Sequence, residues 1–174
     1  IKLFKRNEKY EWIKNYVGHM DSIYQIIFLK DCHLASCSKD KTIRIWDTFG
    51  DNPVTIIFDS AVPTAILEIG EGDLISGHES GEIIVWKKQD GEYKKYLQYK
   101  LHDKCIRQII HLQNHLYVTC SDDGFMKAWI ITEENLKIVW SNQDDSKNYS
   151  ICGKGDKLIS CSRTGNIILW HINY

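Results

Sequence analysis

The chain has 174 residues, 22 of them basic and 23 acidic, for a formal net charge of −1. That balance gives no electrostatic pull toward nucleic acid or anionic lipid, and the length suffices for one ordinary domain with a sizeable core. No apolar run approaches the roughly 18 residues a membrane-spanning helix needs. No secretory leader is visible, and Ile1 in place of a Met is expected to lie downstream of the true N-terminus.

In chain order, residues 1–17 predict two strands, 1–4 and 10–17, the first closing on Phe4. A unit over 18–58 follows. It has a strand at 23–29, another at 33–37, the turn Lys39-Asp40-Lys41, a third strand at 42–46 ending on Trp46, and a fourth at 54–58. The pattern returns over 59–101, with strands at 63–69 and 73–77, the turn Ser80-Gly81, a strand at 82–86 ending on Trp86, and a last one at 93–99. It returns over 102–142, with strands at 106–112 and 115–120, the turn Asp123-Gly124, a strand at 125–129 ending on Trp129, and a last one at 136–141. The final unit, 143–174, has strands at 148–151 and 157–161, the turn Thr164-Gly165 and a strand at 166–170 ending on Trp170, then stops. The four tryptophans are 40, 43 and 41 residues apart. Period-two patterning, β-branched residues and Gly/Asp turns mark hairpins, and four strands per repeat of this length describe a propeller blade. Helical periodicity is nowhere visible, so a helical solenoid is a poor fit.

At Gly18-His19 and Ser38-Lys39-Asp40-Lys41-Thr42-Ile43-Arg44-Ile45-Trp46-Asp47 the sequence resembles the GH…WD signature of WD40 repeats. The resemblance covers nearly the whole chain. It implies an all-β WD40-type propeller with four recognisable blades and part of a preceding one. The family closes its ring with seven or eight blades. This chain is therefore expected to be a segment of a longer protein, or to have its missing blades supplied by a partner subunit; a closed four-bladed ring is the alternative.

The resemblance also implies a buried hydrogen-bond tetrad of His, Ser, Asp and Trp in each complete blade. The first blade offers His19, Ser38, Asp40 and Trp46, and the third His102, Ser121, Asp123 and Trp129. Such a network pins the register of a blade, so these His–Asp pairs are expected to be structural rather than catalytic. The second and fourth blades depart from the pattern, with Asp59, His78, Ser80 and Trp86 in one and Asp144, Ser162, Thr164 and Trp170 in the other. Lower local stability is expected there.

Cys37, Cys120 and Cys161 fall at one repeat-equivalent position, where the second blade has Gly77. Small-residue packing is the expected role, and a metal site the alternative. The six cysteines form no CxxC pair, and free thiols suit a reducing, intracellular compartment, the cytoplasm more than the nucleus.

The family's commonest docking face is the top of the propeller. By spacing it would present Ser22, Tyr24, Lys39, Thr64, Glu79, Arg107, Asp122, Lys147, Tyr149 and Arg163. Tyr and Arg are frequent interface anchors, which singles out Tyr24, Arg107 and Tyr149. Gly-rich phosphate loops, GxSxG and HExxH are absent. The expected function is a non-catalytic scaffold or adaptor in an intracellular multiprotein complex, without cofactor and without membrane contact. The alternatives are a substrate-recognition module of a ubiquitin ligase or multidomain signalling protein, and a ribonucleoprotein or ribosome-assembly component. Against the former, Trp46-Asp47-Thr48-Phe49 lacks the Arg that cullin-ligase adaptors of this family often carry two positions after the Asp.

Overall fold

The computed structural model describes residues 1–6, 10–50, 52–133, 135–143 and 148–172, with side chains at 3–6, 10–13, 148 and 149 left undescribed. Every regular element in it is a strand, and none is a helix able to cross a membrane. A two-stranded antiparallel hairpin, β1 (Lys2–Arg6) and β2 (Tyr10–Asn15), comes first. The first full blade is the meander β3 (Ile23–Phe28), β4 (Leu34–Ser38), β5 (Thr42–Trp46) and β6 (Pro53–Phe58). The second is β7 (Pro63–Ile69), β8 (Asp73–His78), β9 (Glu82–Gln89) and β10 (Glu92–Lys100). The third is β11 (Ile106–Gln113), β12 (Leu116–Ser121), β13 (Phe125–Ile131) and β14 (Leu136–Gln143). The fourth has three strands, β15 (Asn148–Lys154), β16 (Lys157–Ser162) and β17 (Ile167–His171).

Strand alternation explains how the blades stack. In the first blade Ala35, Cys37, Ile43 and Ile45 face forward and bury against Ile66, Leu74 and Trp86 of the second. Ile75, Ile83 and Val85 of the second blade repeat this against Ile109, Tyr117 and Trp129 of the third. Val118, Cys120, Met126 and Ala128 do so against Ile151 and Leu158 of the fourth. One face of every blade thus carries small and branched residues, and the other an Ile, a Leu or Tyr and the Trp. Each buried aliphatic side chain contributes about 1.5–3 kcal/mol. On the fourth blade the equivalent forward residues, Ile159, Ile167 and Leu169, are exposed.

The four-residue small site has a steric cause. Cys37 and Cys120 are fully buried, and burial pushes both thiols up to about 12. At Gly77 a Cβ would lie 2.7 Å from the Ile106 side chain, so the second and third blades approach more closely than a thiol allows. Polar clasps reinforce the stack. Gln25 accepts the Ile66 N–H at 2.7 Å, and Gln108 accepts that of Ile151 at 2.8 Å. Between the second and third blades Thr64 donates to the Ile106 carbonyl at 2.6 Å.

Candidate partner-docking face

Buried relays fix the first three blades. His19 Nδ1 lies 2.8 Å from Asp40 Oδ2, and His19 Nε2 lies 2.7 Å from Ser36 Oγ. Ser36 in turn accepts the Trp46 indole N–H at 2.8 Å. A neutral imidazole with its proton on Nδ1 fits this chain, donating to Asp40 and accepting the Ser36 hydroxyl. Burial holds the His19 pKa below its ordinary 6.5, partly offset by Asp40. Burial alone would raise Asp40, but hydrogen bonds from Thr42, the Met20 N–H and His19 outweigh it and hold the carboxyl far below the usual range. In the third blade His102 bridges Asp123 and Thr119 at 2.9 Å each, and Trp129 donates to Thr119 at 3.3 Å.

The hydroxyl in the relay is therefore Ser36, not Ser38, and Thr119, not Ser121. Leu34 stands opposite Trp46 in the ladder, so Ser36 is the indole's diagonal neighbour. Ser38 shares that face but sits two residues farther, about 6.6 Å along the strand. Ser38 and Ser121 secure the turns instead. Each hydroxyl donates to a loop carbonyl, of Asp21 and Lys104, and accepts the N–H of the turn aspartate, Asp40 and Asp123.

The second blade is not short of a relay. His78 Nε2 meets Ser76 Oγ at 2.8 Å, and Ser76 accepts the Trp86 N–H at 2.8 Å. An imidazole from the end of β8 replaces the one that enters from the preceding loop in the first and third blades. His78 thus supplies the ring rather than the hydroxyl. Asp59 stands outside this relay's hydrogen bonds; it caps the Ala61 N–H and pairs with Lys95 at 3.1 Å. Ser80 donates to Glu82. In the fourth blade Trp170 donates to Ser160 at 2.9 Å, not to Ser162, whose hydroxyl contacts Thr164. Asp144 lies outside the described residues.

The relays hold the turns at one end of the blades, where sequence-distant residues meet. The Lys39 N–H donates to the Ser22 carbonyl, that of Glu79 to Val62, and that of Asp122 to Cys105, all at 2.9 Å. The first strand of each blade also slips register by one residue, between Ile23 and Gln25, Pro63 and Ala65, Ile106 and Gln108, and Asn148 and Ser150. The extra residue at each slip is Tyr24, Thr64, Arg107 or Tyr149. A bulge of this kind re-aims a side chain out of the ladder.

Tyr24, Ser22, Lys39, Glu79, Arg107 and Arg163 are exposed. Thr64 is not available to a partner: it is 8% exposed, and its hydroxyl is committed to Ile106 and Gly77. Asp122 is half-buried and holds Arg107 by a two-point contact, with Arg107 Nε at 2.9 Å from Oδ1. That pairing fixes the guanidinium as a rigid platform. Lys147 lies outside the described residues, as does the Tyr149 side chain.

Sequence reasoning missed two apolar residues beside this face. Met20, next to the relay histidine, is 90% exposed, and Ile23 flanks the bulge at 36%. An exposed, adaptable Met immediately after the His is the signal that could have found them. Among the described residues no group of three or more His, Cys, Asp or Glu could hold a metal ion. The lysines around the β9–β10 turn are largely spoken for: Lys87 pairs with Asp73, Lys88 with Asp31 and Lys95 with Asp59. On the outer strand β14, Trp140 packs edge-on against Trp170 at 5.9 Å.

Comparison with known proteins is consistent with this geometry. The family model described as "WD domain, G-beta repeat" matches residues 10–47. The human protein "DDB1- and CUL4-associated factor 10" is 28% identical over 97 residues, covering 55% of this chain and 17% of that protein. Human "Pre-mRNA-processing factor 17" is 22% identical over 135 residues, 74% of this chain and 23% of that one. The chain thus spans about a fifth of the length of these relatives. Among solved structures, a chain of "Crystal Structure of Mitotic Checkpoint Complex" superposes with a TM-score of 0.84 at 16% identity, covering 95% of this chain and 55% of that one. At that identity the likeness concerns the fold alone.

Proposed function

We propose that this chain of WD40 repeats is a non-catalytic interaction scaffold that docks partner proteins on the bulge-lined end of its blades. The observation that carries the reading is the recurrent bulge. It takes Tyr24, Arg107 and Tyr149 out of register at the same point of the first, third and fourth blades. The relays behind them are spent on structure: each relay hydroxyl holds an indole, and His19 and His102 also hold the turn aspartates. The WD40 propeller is typically a non-catalytic fold, and binding is the chemistry its exposed residues can perform.

A ubiquitin-ligase substrate receptor is the second reading, favoured by the similarity to "DDB1- and CUL4-associated factor 10". Phe49 stands where cullin-ligase adaptors of the family often carry Arg, and it is 92% exposed, so that contact would differ in this blade. The similarity to "Pre-mRNA-processing factor 17" supports a ribonucleoprotein setting, reached through protein partners because the chain has no net positive charge. The six free thiols support an intracellular setting.

Affinity capture with mass spectrometry tests the reading, comparing the intact protein with a folded Tyr24→Ala, Arg107→Ala, Tyr149→Ala variant. Specific partners should disappear from the variant. An unchanged partner set would move docking to another surface.

A further inference from the structure

The outer strand of the first blade, β6, ends its sheet, and among the described residues no strand pairs with its outer edge. A groove follows that edge. Residues 54–57 form one wall, and the β9–β10 turn with Asp90, Glu92 and Tyr93 forms the other. The groove deepens between the first two blades into a cavity of about 280 Å³ floored by Ile45 and lined by Tyr93.

Three properties of the groove point to one kind of occupant. Its edge strand is apolar: Val54, Ile56 and Phe58 are 56%, 37% and 74% exposed. The residues at the Ile56 and Phe58 register positions in the next two blades are Gln98 and Lys100, then Ser141 and Gln143, so this stripe is not a requirement of the repeat. Natural sheets guard such edges with charge, and this one is unguarded beyond Pro53. The Tyr93 hydroxyl is buried without a hydrogen-bond partner, a group that is costly to leave unsatisfied. The turn residues Asp90 and Glu92 make no ion pair among the described residues, so two carboxylates at the lip can meet a basic ligand.

We propose that β6 is a strand-addition site for an extended peptide segment of a partner protein, with branched apolar residues at alternate positions and basic residues between them. The peptide backbone would pair with the free edge of β6. One set of side chains would lie along Val54, Ile56 and Phe58; the other would enter the cavity, where a polar group satisfies Tyr93, while basic side chains meet Asp90 and Glu92. This edge is separate from the bulge-lined face, so its failure leaves the docking proposal standing.

The test is a titration of the whole chain with the capped peptide acetyl-Lys-Val-Arg-Val-Thr-Val-amide, read by calorimetry and by amide hydrogen exchange. Binding should slow exchange at 54–58. A backbone N-methylated version should not bind, and replacing its Lys and Arg by Glu should weaken it by about tenfold. Tyr93→Phe removes a hydroxyl that has no partner in the free protein. It should leave the unfolding midpoint unchanged or raised while weakening the peptide by roughly three- to tenfold. Ile56→Lys, at an exposed position, should fold and abolish binding. Absence of binding at millimolar peptide, protection away from β6, or indifference to N-methylation would overturn the proposal. So would concentration-dependent protection of 54–58 without peptide, which would make a second copy the occupant.

Discussion

Trp46 donates its indole N–H to Ser36 at 2.8 Å, diagonally across the β4–β5 ladder, while Ser36 also meets His19 at 2.7 Å. Removing this hydroxyl strands two buried partners. Ser36→Ala should cost about 1–3 kcal/mol and shift the Trp46 indole resonance. Ser38→Ala should leave that resonance in place, because Ser38 serves the turn. A shift with Ser38→Ala alone would reverse the assignment.

The second blade should prove as dependent on its imidazole as the others. His78 is fully buried against Ser76 and Trp86. His78→Ala should destabilise by about 2–4 kcal/mol, combining a cavity with an orphaned hydroxyl. Asp59→Asn should cost no more than about 1 kcal/mol, since its ion-pair partner Lys95 is substantially exposed. Urea unfolding of the two variants compares them directly.

Strand order, the four tryptophans and the turn aspartates are legible in the sequence through period-two patterning and spacing, and each appears where expected. The relay hydroxyl lies two residues from the expected one because Ser36 and Ser38 share one strand face, and alternation alone cannot say which is the diagonal neighbour of Trp46. That needs the register, Leu34 opposite Trp46. The place of His78 in its relay is hidden because an imidazole can enter the same space from a strand or from a loop, which is a three-dimensional fact. Thr64 shares the spacing that puts Tyr24 on the docking face. Its short side chain instead reaches back to the neighbouring blade's carbonyl.

Acid should unfold the protein from near neutrality downward. Burial lowers the pKa values of His19, His78 and His102 below 6.5, so the unfolded chain binds more protons than the folded one. Their contribution is complete above about pH 6.5 and is lost as pH falls through the folded-state values. Asp40 and Asp123, held low in the fold, lose theirs below their ordinary 3.8, in the same direction. Urea midpoints measured between pH 8 and 4 should be flat at first and then fall. In a His19→Gln, His78→Gln, His102→Gln variant the first part of the fall should shrink.

Gly77→Ala probes a close contact between the second and third blades. The added methyl would sit 2.7 Å from Ile106 Cγ2 and 3.1 Å from Ile109 Cδ1. Overpacking of this kind costs about 1–3 kcal/mol. Gly77→Ala with Ile109→Val, which removes the Cδ1 methyl from this contact, should recover part of it, as thermal unfolding of the single and double variants would show.

The bulged residues are proposed as the working surface of the protein. Amide hydrogen exchange on the intact protein, alone and bound to a partner obtained by affinity capture, reads that surface directly. Protection should gather at 20–24, 39, 79, 104–107 and 163, which lie on separate blades but at one end of them. Protection confined to other segments, with these unchanged, would contradict the proposal.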